Sequence, residues 1–103
     1  MLDYPEIERL LAQPDPSSPL GLRDRAMLEL MYACGLRVSE LLALEAKDLS
    51  LNDGFIRCFG KGSKERVVPV GGSASGWVRR YLTGSRPLLL KKYDTEVVFL
   101  NNR

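Results

Sequence analysis

The chain has 103 residues, of which 45% are hydrophobic and 27% charged, a balance that argues against a disordered tail and a membrane segment. Its 15 Lys and Arg against 13 Asp and Glu permit a nucleic-acid partner without arguing for one. Because there is no histidine and no CxxC spacing, no metal site is expected, and Cys34 and Cys58 are predicted to be buried thiols. The acidic, amphipathic start does not resemble a signal peptide, so we expect the protein to be located in the reducing cytoplasm.

Three helices are predicted in the first half of the chain. Asp3 can cap a helix near residues 4–13, in which apolar residues repeat at helical spacing. The prolines of PDPSSPLG end it, and a second helix follows at about 22–34 with a broad apolar arc. Gly35 is expected to end this helix in the left-handed conformation, before a short third helix at about 37–44.

The second half begins with the pattern of strands. GFIRCF and ERVVPV have the aromatic and β-branched content of strands, and the glycine-rich turn between them predicts a β-hairpin near 54–70. Pro69 indicates that the second strand lies at an edge or is ending. A cap at Ser73 or Ser75 predicts a helix to about Leu82, and EVVFL predicts a short final strand. The expected fold class is α+β, mainly helical with a small antiparallel sheet.

Arg37 stands where stability alone would not place a cation. Helical projection puts it between Leu41 and Leu44 on the apolar face, in a first turn where the helix dipole disfavours positive charge. Glu40, at i+3, is positioned to pair with it. Either the guanidinium reaches solvent along its apolar stem, or the carboxylate aims it at an oxyanion near free backbone N–H groups. Helix geometry leaves both interpretations open.

The hairpin tip, GKGSKER, leaves a similar choice. Lys61, Lys64 and Arg66, with Glu65, can form a solvated turn, as hairpin ends commonly do. They can also form a surface that contacts phosphate, because the flanking glycines permit close approach. A nucleotide-binding P-loop is excluded, because the glycine spacing is wrong and Lys61 is followed by glycine instead of Ser or Thr.

LRDRAMLELMYACGLRVSELLALEAKDLS followed by GKGSKERVVPV resembles the tyrosine recombinases, or phage-integrase family, and most of all their bacterial Xer-type branch. The resemblance runs through almost the whole chain, and GLRVSEL joined to a GKGxKER hairpin is a specific combination. It implies a partial integrase-type catalytic domain. Enzymes of this family cut DNA by attack of a tyrosine on the scissile phosphate, which forms a 3′-phosphotyrosyl link.

The resemblance implies roles for individual residues. Arg37 matches the first catalytic arginine, which holds the non-bridging phosphate oxygens, and Lys61 matches the hairpin lysine, the general acid toward the leaving 5′-oxygen. Glu40 matches the acidic residue that orients the arginine, while Lys64 and Arg66 are carried over as contacts to the DNA backbone. No metal or other cofactor is implied.

Two parts of the family pattern have no match here. The histidine box is missing, since the chain has no histidine, and all four tyrosines precede the place of the nucleophile. We therefore expect residues 1–103 to be a single truncated segment of the catalytic domain, inactive by itself, without the amino-terminal DNA-clamping domain and the carboxy-terminal catalytic half.

Double-stranded DNA at a core recombination site is the partner that the resemblance implies. The intact parent would act there as a tetramer, alone or with a second recombinase, and without a membrane. A non-enzymatic DNA-binding module or integrase relic, which uses the basic hairpin only for backbone contact, is the alternative interpretation. A structural or protein-interaction fragment is a third.

Overall fold

The computed structural model describes residues 3–60, 62, 64–90 and 95–100. The helices are α1 (Tyr4–Leu11), α2 (Pro19–Cys34), α3 (Val38–Ala43), α4 (Gly72–Gly84) and α5 (Arg86–Leu89). The strands are β1 (Leu49–Ser50), β2 (Phe55–Phe59) and β3 (Glu65–Pro69), with a 3₁₀ turn at Ala46–Asp48 before β1. The predicted α+β class is confirmed. No helix in the described ranges is long and apolar enough to cross a membrane.

Capping interactions explain where the first two helices begin and end. Asp3 accepts a backbone N–H of the first turn of α1, as predicted. The Ser18 side chain does the same for α2, which begins at Pro19 instead of the predicted start near residue 22. Proline is favourable in a first turn because its missing N–H has no helical partner there. Gly35 ends α2 with φ 64°, the left-handed conformation predicted for it.

The sheet is antiparallel, with strand order β1-β2-β3. The edge strand β3 ends at Pro69, which confirms the prediction for this proline. In β2, Ile56 and Cys58 point into the core and lie opposite Val68 and Arg66 of β3. Strand β1 was not predicted, because two residues are too short to show alternation.

The apolar core lies between α2, α4 and the inner face of the sheet. Its most deeply buried side chains include Ala26, Leu30, Leu41, Leu44, Ile56, Cys58, Val78, Tyr81 and Val98. Burial of one large aliphatic side chain contributes about 1.5–3 kcal/mol, so these positions hold the helices against the sheet.

The prediction of a serine cap for α4 is wrong. The helix already begins at Gly72, so Ser73 and Ser75 lie in its first turn. Ala74 and Val78 are both buried and stand one turn apart, so they share the helix face that packs on the core. A cap at Ser75 would leave the buried Ala74 outside the helix, so burial favours the earlier start.

The predicted final strand in EVVFL is also wrong. This segment pairs with the chain at an isolated bridge between Glu45 and Val97 and then bends. Its next three residues are consecutively buried: Val98, Phe99 and Leu100. An edge strand with one solvated face alternates instead. Two backbone hydrogen bonds hold the start of the segment, from the Ala46 N–H to the Glu96 carbonyl and from the Val98 N–H to the Leu44 carbonyl, and buried side chains hold the rest.

Tyr81 is the centre of that attachment. Its ring is fully buried and stacks on Phe99 with centroids 5.2 Å apart. The phenol donates to the Val98 carbonyl at 2.6 Å and accepts the Leu100 N–H at 3.0 Å. Arg86 donates to further carbonyls of the same segment. Burial raises the pKa of Tyr81, so the neutral phenol is the form that the fold holds.

Replacing Tyr81→Phe should lower the free energy of unfolding by about 1–3 kcal/mol, because the buried Leu100 N–H loses its acceptor and the Val98 carbonyl keeps only Arg86 as a donor, while the ring packing stays. Urea unfolding followed by circular dichroism measures this. Tyr4→Phe is the matched control, because Tyr4 is 63% exposed and should change stability by less than about 0.5 kcal/mol.

Comparing wild type with Tyr81→Phe also tests how the stability contributed by Tyr81 depends on pH. A raised pKa means that the contribution of Tyr81 is complete below the ordinary tyrosine value of about 10 and is lost as the pH rises above it. The stability difference between wild type and Tyr81→Phe should therefore shrink in alkaline buffer. A difference that grows there would contradict this account.

Candidate active site

Arg37 lies at the N-cap of α3 and is exposed, with extended backbone (φ −76°, ψ 154°). The helix begins one residue later than predicted, at Val38. Leu36, Leu41 and Leu44 fill the core beside it, whereas Arg37 points away from that face. The predicted position of Arg37 on the apolar face is thus wrong, because an N-cap residue does not follow the helical projection.

Glu40 is the nearly buried carboxylate of the site, with a side chain 6% exposed. Its Oε1 accepts the backbone N–H of Arg37 at 2.9 Å. Nη2 of Arg66 lies 3.3 Å from Oε1 and 3.2 Å from Oε2, so the carboxylate pairs with the hairpin. Within the described residues, no ion pair joins it to the Arg37 guanidinium, contrary to the i+3 expectation.

A cleft of about 290 Å³ brings the helix and the hairpin together. It is lined by Arg37, Glu40, Gly60, Lys64, Glu65 and Arg66. An adjoining cleft of about 280 Å³ is lined by Arg37, Ser39, Glu40, Phe59 and Gly60. All the predicted site residues except Lys61 therefore line one cavity. Lys61 lies outside the described residues, but Gly60, which precedes it in the chain, lines both clefts.

The backbone of the tip explains the glycines. The Gly60 N–H donates to the Lys64 carbonyl at 3.1 Å, which closes the loop between β2 and β3. Gly62 has φ 77°, a conformation that residues with a Cβ rarely adopt. The second glycine of GKG thus has a structural reason, whereas the hydrogen bond of Gly60 does not itself require glycine.

Among the residues described, the side chains that line the cleft and form no ion pair carry a net positive charge. Glu40 is engaged by Arg66, and Glu65 lies 3.7 Å from Arg57 on the exposed face of the hairpin. In the part of the chain that the structure describes, neither Arg37 nor Lys64 has a carboxylate within ion-pair distance. These two side chains are available to an anion.

The cysteines lie behind the cleft and are both free. Cys58 is buried, as predicted; its pKa is raised chiefly by burial and further by Glu40, against the opposing effect of Arg66. Cys34 is only partly buried and donates to the Pro69 carbonyl at 3.6 Å, and burial raises its pKa as well. Both remain thiols near neutral pH, which argues against a nucleophilic role.

Sequence reasoning missed a second basic cluster on α2 and α4. The Arg25 guanidinium lies 4.2 Å from the ring centre of Trp77 and that of Arg80 lies 4.5 Å from it. Arg25 also donates to the buried Glu29 at 2.8 Å. The i,i+4 spacing in the sequence could have predicted this ion pair. It could not have predicted that the Trp77 ring lies over the pair.

The sequence model of the Phage integrase family matches residues 1–103. The chain belongs to this family. Tyrosine recombinase XerD of Pseudomonas aeruginosa is 52% identical over 98 residues, which are 95% of this chain and 33% of that protein. XerD of Vibrio cholerae is 49% identical over 102 residues, 99% of this chain and 34% of that protein.

Solved Xer structures agree with this membership. The XerA recombinase superposes with a TM-score of 0.78 at 28% identity, covering 98% of this chain and 34% of that chain. XerH bound to its difH substrate in a pre-cleavage complex gives 0.77 at 27% identity, covering 99% and 30%. The resemblance found in GLRVSEL and GKGxKER is confirmed. The chain spans about a third of the length of these relatives.

Removal of the central carboxylate should loosen this phage-integrase site. We expect Glu40→Ala to lower the free energy of unfolding by about 1–3 kcal/mol, because the Arg37 N–H and the Arg66 guanidinium lose their acceptor. Glu65→Ala is the control in the same hairpin, since its exposed pair should be worth less than about 1 kcal/mol. Equal losses in urea unfolding would contradict the central place of Glu40.

Proposed function

We propose that this chain is part of a site-specific tyrosine recombinase, which breaks and rejoins DNA through a 3′-phosphotyrosyl intermediate. One observation carries the proposal: in a chain of the phage integrase family, a single cleft gathers Arg37, Lys64 and Arg66 beside the residue that precedes Lys61. The likeness to XerH, solved with its difH substrate, supports DNA as the partner.

Arg37 would stabilise the transition state. When an oxygen nucleophile attacks a phosphodiester, negative charge grows on the non-bridging oxygens, and a fork-shaped guanidinium can donate two parallel bonds to them. Arg37 suits this role because it is exposed and its backbone is held by Glu40. Glu40 thus supports the catalytic arginine through the main chain.

Lys61 would act as the general acid. The 5′-oxygen leaves poorly as an alkoxide, so a proton donor at this atom speeds cleavage. Support for Lys61 comes from the family motif and from Gly60, which lines both clefts. Lys64 and the solvent-facing part of Arg66 would contact the DNA backbone. None of these steps calls for a metal.

The tyrosine nucleophile and the histidine box would come from regions of the parent that this chain does not span. We propose that residues 1–103 are a partial catalytic domain, inactive alone, since the relatives are about three times as long. The parent would act in the cytoplasm as a tetramer on double-stranded DNA, alone or with a second recombinase.

A DNA-binding module without catalysis is the second candidate. It is favoured by the exposed Lys64 and Arg66, which can contact phosphate without any chemistry. Under this alternative, Arg37 and Lys61 contribute affinity only. Cleavage measurements separate the two candidates.

Arg37→Ala and Lys61→Ala should each lower strand cleavage by about 10²–10⁴-fold, with only a small loss of DNA affinity. The test protein is the full-length parent, or a chimera in which this chain replaces the aligned segment of P. aeruginosa XerD. A nicked suicide substrate traps the covalent protein–DNA product for a denaturing gel. Arg79→Ala, which lines neither cleft, is the control.

Unaltered cleavage by either variant would contradict the role given to that residue. The chain on its own should produce no covalent band on the same substrate. A band from the isolated chain would overturn the claim that it is inactive alone.

The isolated chain should bind duplex DNA weakly, with an affinity that falls steeply between about 50 and 200 mM salt. Lys64→Gln should reduce the slope of log K against log salt by about one, because one phosphate contact is lost. Lys47→Gln is the control, since its ammonium lies near Glu45 and outside both clefts. Fluorescence anisotropy gives the slopes, and salt-independent binding would point to another surface.

A further inference from the structure

We infer that Arg66 is a positioning residue: by occupying Glu40, it keeps the Arg37 guanidinium available for phosphate and holds the hairpin tip beside it. The inference rests on the proposed function, because availability for phosphate matters only if the cleft takes one. It gives Arg66 a task in addition to DNA contact.

Arg37 and Arg66 compete for one carboxylate. Glu40 is almost buried, and a buried carboxylate requires partners. Its oxygens are engaged by the Arg37 backbone N–H and by Nη2 of Arg66. Without Arg66, the Arg37 side chain, which lines the same cleft and comes three residues before Glu40 in sequence, would be free to pair with this carboxylate. Glu40 would then draw Arg37 inward and repel the phosphate.

Arg66 also attaches the hairpin to α3. Strand β3 is an edge strand, and most of its residues are exposed, so packing restrains it weakly. Arg66 is the second residue of β3 and lies opposite the buried Cys58. Its pair with Glu40 ties the base of the tip directly to α3. A shift of about 1 Å at a reacting group can cost about 10²-fold in rate.

Positioning and simple DNA contact predict different outcomes. The Arg66 side chain is 51% exposed, so part of its guanidinium can also contact DNA. Loss of a contact weakens binding, whereas loss of positioning lowers the cleavage rate even when all the DNA is bound. The rate at saturation is therefore the decisive quantity.

The experiment uses the full-length parent or the XerD chimera at saturating protein, with the nicked suicide substrate. Arg66→Gln should cleave about tenfold more slowly or worse, and Arg66→Lys should keep most of the rate because its ammonium can still reach Glu40. Arg57→Gln is the matched control, since it removes an arginine from the same hairpin but from an exposed pair. If Arg66→Gln cleaves at the wild-type rate at saturating protein, the inference is overturned.

A double-mutant cycle tests the route through Glu40. In a Glu40→Gln background, where the amide oxygen can still accept the Arg37 N–H, Arg66→Gln should have a much smaller effect on cleavage than in the wild type. Independent, multiplicative effects would show that Arg66 acts without Glu40 and would overturn the inference.

The same cycle is run on the unfolding of the isolated chain, where no DNA is involved. Coupling between Arg66 and Glu40 in the unfolding constant, about fivefold or more, supports the structural pairing of these two residues even if the wild-type protein fails to cleave DNA. That combination of results would contradict only the proposed function. Absence of coupling would contradict the pairing, and with it the inference, but not the proposed function. Circular dichroism confirms that each variant is folded.

Discussion

A single buried carboxylate joins the helical part of this molecule to its hairpin. Glu40 lies almost out of solvent and accepts hydrogen bonds from the main chain of Arg37 and from the side chain of Arg66. A charge in such a place must be paired, since its desolvation costs several kcal/mol when it is not. The pair that Glu40 of α3 forms with Arg66 of β3 therefore meets an electrostatic requirement, and both residues line the cleft.

The cleft is formed by residues at the ends of helices and strands, which the apolar core holds in position. Gly35 ends α2 and lets the chain turn at once into α3, whose N-cap carries Arg37. The hairpin supplies Lys64 at its tip and buries Cys58 near the tip end of β2. Residues at loop and element ends commonly carry function while the core fixes their positions, and this site follows that arrangement.

The charges suggest a division of tasks within the cleft. Arg66 is committed to a carboxylate, whereas Arg37 and Lys64 have no such partner in the described part of the chain. One cation thus holds the site together and two others remain available to an anion. The XerD relatives are about three times as long as this chain, and under the function that we propose these two cations would hold phosphate for chemistry completed elsewhere in the parent.

Local signals in the sequence determined the family, the α+β class and several boundaries, because each depends on residues close together in the chain. Asp3 caps a helix, Gly35 ends one and Pro69 ends an edge strand for reasons of backbone chemistry alone. Only the tertiary structure decided that Glu40 pairs with Arg66, which is 26 residues away in sequence and comes close through the fold. The early start of α4 and the bent final segment were likewise decided by burial, which no short window of sequence contains.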